Sequence, residues 1–143
     1  MKLQYAVIPL GLTVFAAAAI FQDIPRSASG GVFTVEQAKR GKASFETNCA
    51  LCHGEQLDGS ESGPSLSGEE FTLAWGGHTV AELLDRIHDT MPADRPGKLS
   101  REEVTGIVAY ILSFNKFPAG NTELPSDAEL LKQIRIDPRS AAK

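Results

Sequence analysis

The apolar residues of this chain recur three or four positions apart over several stretches, and each stretch follows a short polar signal. In each signal a serine or threonine stands three residues before a glutamine or glutamate. At this spacing the two side chains can bond the first free backbone amides of a helix. The four signals are Thr34 to Gln37, Thr79 to Glu82, Ser100 to Glu103 and Ser126 to Glu129. The pattern predicts four helices, the last of them short.

The apolar residues that follow these signals have the spacing of helices and not the alternation of β-strands. The helix that begins at Thr34 is expected to run to about Asn48, and residues 54–68 are rich in glycine, serine and proline, which is typical of a loop. The last main helix has an apolar stripe formed by Ile107, Val108, Ile111 and Leu112. Because no strand-like alternation competes with these helices, we predict an all-α fold.

The N-terminus has the features of a leader that the mature protein lacks. A lysine precedes the uncharged apolar run Ala6 to Phe21, and small residues follow it. This order is typical of a secretory signal, and the run is shorter than the roughly 20 residues of a membrane-spanning helix. We predict a signal peptide over residues 1–29, with cleavage after Ala18 or Ala19 or near Ser29. An uncleaved membrane anchor is the alternative.

Composition limits the classes of protein that remain. A length of 143 residues suggests one domain. The 14 basic and 18 acidic residues give a net charge of −4, which argues against a nucleic-acid partner. Two cysteines exclude a scaffold of several disulfides. The leader indicates export, so the protein is expected in the periplasm.

The two cysteines belong to the chain's clearest motif. Residues 49–53 read Cys-Ala-Leu-Cys-His, the pattern of covalent haem attachment. Two thiols one helical turn apart can form thioethers with the vinyl groups of one haem, and His53 can then bind the iron. A thioredoxin-like pair is disfavoured because no β-α-β pattern surrounds the motif, and a zinc site would need a further ligand. The motif predicts one haem c held by Cys49 and Cys52.

With this motif the chain resembles the class I c-type cytochromes over roughly residues 34–115. The other matching stretches are Gly41 to Phe45, Gly63 to Leu66, Thr90 to Pro92 and a final helix with Tyr110. The stretches Trp75 to Glu82, Met91 to Ser100 and Val108 to Leu112 make it most similar to cytochromes that accept electrons from quinoprotein dehydrogenases. The resemblance implies a helical cytochrome domain over residues 30–117, wrapped around one haem. Residues 118–143 would be an extension whose short helix either docks on the domain or contacts a partner.

The candidates for the second axial ligand of the iron are Met91, His78 and His88. Met91 is the only methionine besides Met1, and the Pro92 that follows favours an extended backbone, which presents the side chain. The resemblance also implies a methionine ligand at this place, at the end of a helix. The alternatives are a methionine that only fills the core and His88 as a second imidazole. His78 is expected at the surface or as a helix cap.

Four residues outside the motif have expected roles. In related cytochromes the carbonyl of the proline that matches Pro64 accepts a hydrogen bond from the haem histidine, and a plain turn proline is the alternative. The resemblance implies that Gly41 allows a close crossing by the last helix, which brings Tyr110 to an aromatic partner on the first. We interpret Trp75 either as a residue that stacks near the haem or bonds a propionate, or as a core aromatic.

These observations predict a periplasmic carrier of single electrons, because an iron with both axial positions filled is closed to substrates. The expected partners are redox proteins: a dehydrogenase, of the quinoprotein class by the resemblance, and an oxidase or reductase. Nucleic acid is not expected, and a membrane only if the leader is retained. A basic rim could steer these partners; its candidates are Lys39, Arg40, Lys42, Arg95 and Lys98. The alternatives are a haem enzyme or gas sensor with an open iron site, and a cytochrome subunit of a larger complex.

Overall fold

Helices dominate residues 26–138, the part of the chain that the computed structural model describes. The elements in chain order are β1 (Arg26–Ser27), α1 (Val35–Asn48), α2 (Ala50–His53), α3 (Gly68–Trp75), α4 (Val80–Thr90), α5 (Arg101–Phe114), α6 (Ala128–Lys132) and β2 (Ile134–Arg135). The prediction of an all-α fold is confirmed, and the two-residue strands are a small addition to it. Residues 1–25 of the predicted leader, with the cleavage sites after Ala18 and Ala19, lie outside the described residues, whereas the alternative site near Ser29 lies within them.

Two of the predicted helix starts have the full reciprocal cap. The hydroxyls of Thr79 and Ser100 accept from the backbone amides of Glu82 and Glu103, whose carboxylates bond back to the cap residues. The backbone amide of Thr79 donates to Glu82 at 2.6 Å. This bond, with those from the Thr79 hydroxyl and the His78 ring, lowers the pKa of the Glu82 carboxyl to about 2. The polar spacing therefore located the starts of α4 and α5 correctly.

The other two signals need correction. Thr34 caps α1 by accepting from the backbone amide of Gln37 at 3.1 Å, but the Gln37 side chain does not bond back. It is buried and pairs twice with Leu124, donating to its carbonyl and accepting from its amide, both at 2.8 Å. The cap of α6 is Asp127 instead of Ser126, because the Asp127 carboxylate accepts from the backbone amide at the third helical position.

Helix α3 was not predicted. It spans only eight residues and has no side-chain cap bond at Ser67. Its position, directly after the glycine-rich segment, gave no signal that could separate it from the loop. The consequence is that Trp75 ends a helix instead of preceding one.

Helices α1 and α5 cross in close contact at two glycines. A Cβ atom added to Gly41 would overlap the carbonyl oxygen of Gly106, so the backbones can approach only because the side chain is absent. One turn further on, the rings of Phe45 and Tyr110 lie 5.4 Å apart at 59°. The close crossing that the resemblance implied for Gly41 is present, whereas Gly106 was not singled out from the sequence.

Helix α5 is more deeply buried than its apolar stripe suggests. All nine residues from Val104 to Leu112 are buried, including Thr105 and Gly106. The Thr105 hydroxyl donates a hydrogen bond to the Arg101 carbonyl within the same helix, at 2.7 Å. This helix is therefore the central element of the described fold.

The two ends of the described chain are joined to each other. Strand β1 pairs with β2 in parallel, with Arg26 opposite Ile134 and Ser27 opposite Arg135. The tail buries a set of aliphatic side chains: Leu124, Leu131, Ile134 and Ile136. Contacts also join α6 to α4. Of the two interpretations given for the extension, these residues fit a helix docked on the domain.

No helix within residues 26–138 combines the length and the apolar character needed to cross a bilayer.

We expect Gly41→Ala to destabilise the haem-loaded protein by about 3 kcal/mol, because the new methyl group must push the α1 and α5 backbones apart. Urea unfolding followed by haem absorbance measures this loss. Gly30→Ala is the matched control, since a Cβ at Gly30 has nothing within 4 Å. Equal midpoints for the two variants would contradict the role given to the crossing.

Candidate haem-binding site

The attachment motif begins where α1 ends. The backbone amide of Cys49 donates to the Phe45 carbonyl at 2.8 Å and closes α1. The amides of Cys52 and His53 then both donate to the Cys49 carbonyl, at 3.1 and 3.0 Å, which forms the single turn of α2. Both thiols are free and half-buried. The local helix therefore presents two thiols and one imidazole on a single turn.

The His53 ring has one nitrogen engaged. Its Nδ1 lies 2.8 Å from the Pro64 carbonyl oxygen. A carbonyl oxygen only accepts, so Nδ1 carries the proton and Nε2 keeps its lone pair. The ring is buried, with 8% of the residue exposed. The arrangement fixes both the tautomer and the ring orientation that an iron ligand needs.

Gly63 leaves the room that this ring orientation requires. A Cβ at Gly63 would stand 3.1 Å from His53 Cε1 and 3.0 Å from the Cys52 carbonyl oxygen. The same loop is tied to the motif by Ser60, whose hydroxyl donates to the Cys52 carbonyl at 2.6 Å. Glycine before Pro64 thus lets the loop lie directly against the histidine.

The surroundings of the Cys49 thiol disfavour its charged form. Burial raises its pKa to about 11, the nearby Cys52 adds to the rise, and the positive charge of Arg95 opposes it. Within the described residues no group of three or more histidine, cysteine, aspartate or glutamate side chains is placed to hold a metal ion.

Met91 stands at the end of α4 with an extended backbone, φ −124° and ψ 151°. This is the conformation that the following Pro92 predicted, and it ends the helix after the Met91 amide donates to Ile87 at 2.8 Å. The Met91 side chain is half-buried. Its link to the motif runs through its loop, where the Arg95 guanidinium donates to the Asn48 side-chain oxygen at 2.8 Å.

The two other histidines have acidic neighbours. His88 Nδ1 lies 2.8 Å from an Asp89 carboxylate oxygen. His78 is exposed, and its Nδ1 lies 3.2 Å from Glu82. One ring nitrogen of each therefore lies against a carboxylate that is close to it in the chain. His78 is at the surface, as expected, whereas His88 is half-buried.

The two aromatic candidates lie in different surroundings. Trp75 is half-buried against the core, and its ring meets His78 edge-on at 5.8 Å. Tyr110 is buried between Phe45 and Phe114, with ring centroids at 5.4 and 6.1 Å, and burial raises the pKa of its phenol. Tyr110 thus belongs to the aromatic stack along the crossing of α1 and α5.

Three of the five basic residues proposed for a rim have partners. Arg40 pairs with Glu123, Lys42 with Glu46 at 3.4 Å, and Arg95 with Asn48. The charges of Arg40 and Lys42 are thus partly neutralised by acidic neighbours.

Sequence reasoning missed three residues that shape the site. Gly63 stood in a matching stretch directly before Pro64, so its position was the available signal. No signal in the sequence pointed to Asn48 or Gly106, because each acts through a partner far along the chain.

Fold and site together define a c-type cytochrome. Two free thiols one turn apart, beside an imidazole whose Nδ1 is occupied and whose Nε2 is available, form the donor set that covalent haem requires. A family of proteins described as cytochrome c oxidase, cbb3-type, subunit III matches residues 36–111, more than half of the chain. The chain belongs to this family of cytochrome c domains. Haem c with its iron, covalently bound, is the cofactor of the family.

Curated relatives agree with this membership. The chain is 30% identical to the cbb3-type cytochrome c oxidase subunit CcoP of Azospirillum brasilense, over 73% of this chain and 39% of that subunit. It is 40% identical to cytochrome c-550 of Bacillus subtilis, over 46% of this chain and 58% of the relative. The chain thus spans between about two fifths and three fifths of the length of these relatives.

A solved structure has the same fold. The sulfane dehydrogenase SoxCD from Paracoccus pantotrophus aligns with a TM-score of 0.56 at 22% identity, over 76% of this chain and 62% of that one. At this identity the likeness concerns the fold alone.

We expect Gly63→Ala to raise the reduction potential of the haem-loaded protein by on the order of 20 mV. The added methyl pushes the His53 ring from the Pro64 carbonyl, and a weaker bond at Nδ1 makes the imidazole a poorer donor to ferric iron. A spectroelectrochemical titration measures the shift. Gly30→Ala should leave the potential unchanged, and equal potentials for both variants would argue against the contact as a control on the iron.

Proposed function

We propose that this chain is an exported electron carrier with a single haem, whose iron takes His53 and Met91 as axial ligands. A single haem follows from the one attachment motif in the sequence. The reaction is the uptake and release of one electron, with no bond made or broken in a substrate.

The observation that supports this most strongly is the contact between His53 Nδ1 and the Pro64 carbonyl at 2.8 Å. It leaves Nε2 as the only ring nitrogen able to bind a metal, beside the two attachment thiols. When bound, the haem iron supplies a one-electron couple. The chain's own task is to hold the ring still, which the buried position of His53 and the close approach of Gly63 favour.

Met91 is the ligand we propose for the opposite face. Its extended backbone at the end of α4 releases the side chain from the helix, while the backbone amide stays bonded to Ile87. A thioether favours ferrous iron and so raises the potential, which suits a carrier that delivers electrons to an oxidase or reductase. With both faces occupied, small molecules do not reach the iron.

The proposed partners are redox proteins. A dehydrogenase is the donor, and the quinoprotein class is the one that the sequence resemblance implies. A relative named as a subunit of a cbb3-type oxidase suggests a terminal oxidase as the acceptor. Because this chain spans only 39% of that relative, docking to such an oxidase and assembly within one are both consistent with the likeness.

Removal of Met91 tests the ligand assignment. We expect the ferric wild-type protein to be low-spin with an iron–methionine charge-transfer band, and the ferrous protein not to bind carbon monoxide. Met91→Ala should lose the band and bind carbon monoxide stoichiometrically, because it opens one axial position. Absorption spectra in both redox states measure this.

His88→Ala is the control and should keep the band. If His88→Ala loses the low-spin state and Met91→Ala retains it, the second ligand is an imidazole. A wild-type protein that is high-spin and takes up carbon monoxide would instead identify an enzyme or gas sensor.

Export with a leader cut well before Arg26 is part of the proposal. Residues 26–29 support it through contacts that a cut near Ser29 would remove. Ala28 has no exposed surface, and the Ser29 amide and hydroxyl donate to Asp137 at 3.0 and 2.7 Å. Cleavage after Ala18 or Ala19 keeps all of these contacts.

N-terminal sequencing of the protein purified from its cells tests the leader. We expect the mature chain to begin at Ala19 or Ile20. A chain that begins at Gly30 would contradict the boundary, and one that retains Met1 would contradict cleavage. An intact mass that includes one haem is expected from the same sample.

A further inference from the structure

The loop that carries Met91 is held mainly by its own backbone. This methionine loop, residues 91–99, folds back through two hydrogen bonds: the Arg95 amide donates to the Pro92 carbonyl at 2.9 Å, and the Gly97 amide to the His88 carbonyl at 3.0 Å. Gly97 adopts a φ of +70°, which other residues rarely reach. The loop therefore has a defined shape that is anchored to the end of α4.

Asn48, the last residue of α1, offers this loop an oriented acceptor. Its side-chain amide nitrogen donates to the Ser44 carbonyl at 2.9 Å, within its own helix. That bond fixes which way the amide faces and turns the Asn48 oxygen to the Arg95 guanidinium, 2.8 Å away. The contact joins residues 47 positions apart, one of them directly before Cys49.

The bond between Arg95 and Asn48 joins the methionine loop to the segment that holds the attachment motif. Among residues 26–138, no other hydrogen bond or ion pair joins the methionine loop to residues 34–67, the part of the chain that holds the motif and Pro64. The loop and the motif therefore meet at Arg95.

We propose that Arg95 and Asn48 form a positioning clasp, which holds the methionine loop against the attachment motif and so sets how readily Met91 is displaced from the iron. This inference rests on the proposed ligation by Met91. It differs from a role of Arg95 toward a haem propionate, because that role would not involve Asn48.

Displacement of Met91 by added imidazole measures the clasp directly. Imidazole reaches the iron only when the methionine loop opens. Any bond that holds the loop closed therefore weakens the apparent binding of imidazole. We expect Arg95→Met and Asn48→Leu each to lower the imidazole concentration at half-loss of the charge-transfer band about threefold. The double variant should shift it by the same factor and no further, because both substitutions remove one shared bond.

Conservative variants separate positioning from general damage. Asn48→Asp keeps an acceptor for Arg95 and should behave like the wild-type protein, and Arg95→Lys should recover part of the shift. Arg86→Met removes a positive charge five residues before Met91 from a side chain with no hydrogen-bond partner among the described residues, and should shift nothing. Covalent haem content shows that every variant is loaded.

The outcomes distinguish the two levels of the proposal. If Arg95→Met shifts the titration and Asn48→Leu does not, Arg95 acts on another group, such as a propionate, and the clasp is refuted. If neither variant differs from Arg86→Met, the clasp is likewise refuted while ligation by Met91 stands. A wild-type protein without the charge-transfer band overturns the proposed function itself.

Discussion

The crossing of α1 over α5 at Gly41 and Gly106 fixes where the haem-attachment motif stands. The backbones approach this closely because Gly41 has no side chain, and the Phe45 and Tyr110 rings lie against each other one turn further on. The motif begins at the residue after α1, about 12 Å along the helix axis from Gly41. Because an α-helix is stiff over two turns, the crossing positions Cys49 and its neighbours relative to the buried core.

The features predicted correctly from the sequence are those formed by residues close together in the chain. Caps three residues apart located the starts of α4 and α5, and the five-residue motif identified the donor set of the site. The resemblance added Pro64, eleven positions beyond His53, and the contact is present at 2.8 Å. In each case the partner residues are near in the chain, so the pattern itself carries the information.

Interactions between distant segments could not be predicted in this way. Gln37 reads as half of a local cap, but its amide instead pairs with the Leu124 backbone, 87 positions away. The buried backbone amide and carbonyl of Leu124 have no strand or helix partner, so they need a donor and an acceptor from a side chain. A reciprocal cap bond at the solvent-facing end of the helix contributes less to stability. The same holds for β1 with β2: two-residue strands have no alternation to detect, and they form because the two ends of the domain meet.

The contacts that hold the two proposed iron ligands differ in sequence separation, so they differ in the chain entropy lost when they form. His53 is restrained by its own helical turn and by a loop that closes over about ten residues, which costs little chain entropy. Met91 lies on a loop that, among residues 26–138, is joined to the segment of the motif by one exposed hydrogen bond across 47 positions. Exposed bonds of this kind contribute only about 1 kcal/mol. The proposed histidine ligand is therefore the more firmly held of the two, and the proposed methionine ligand is the one expected to dissociate first.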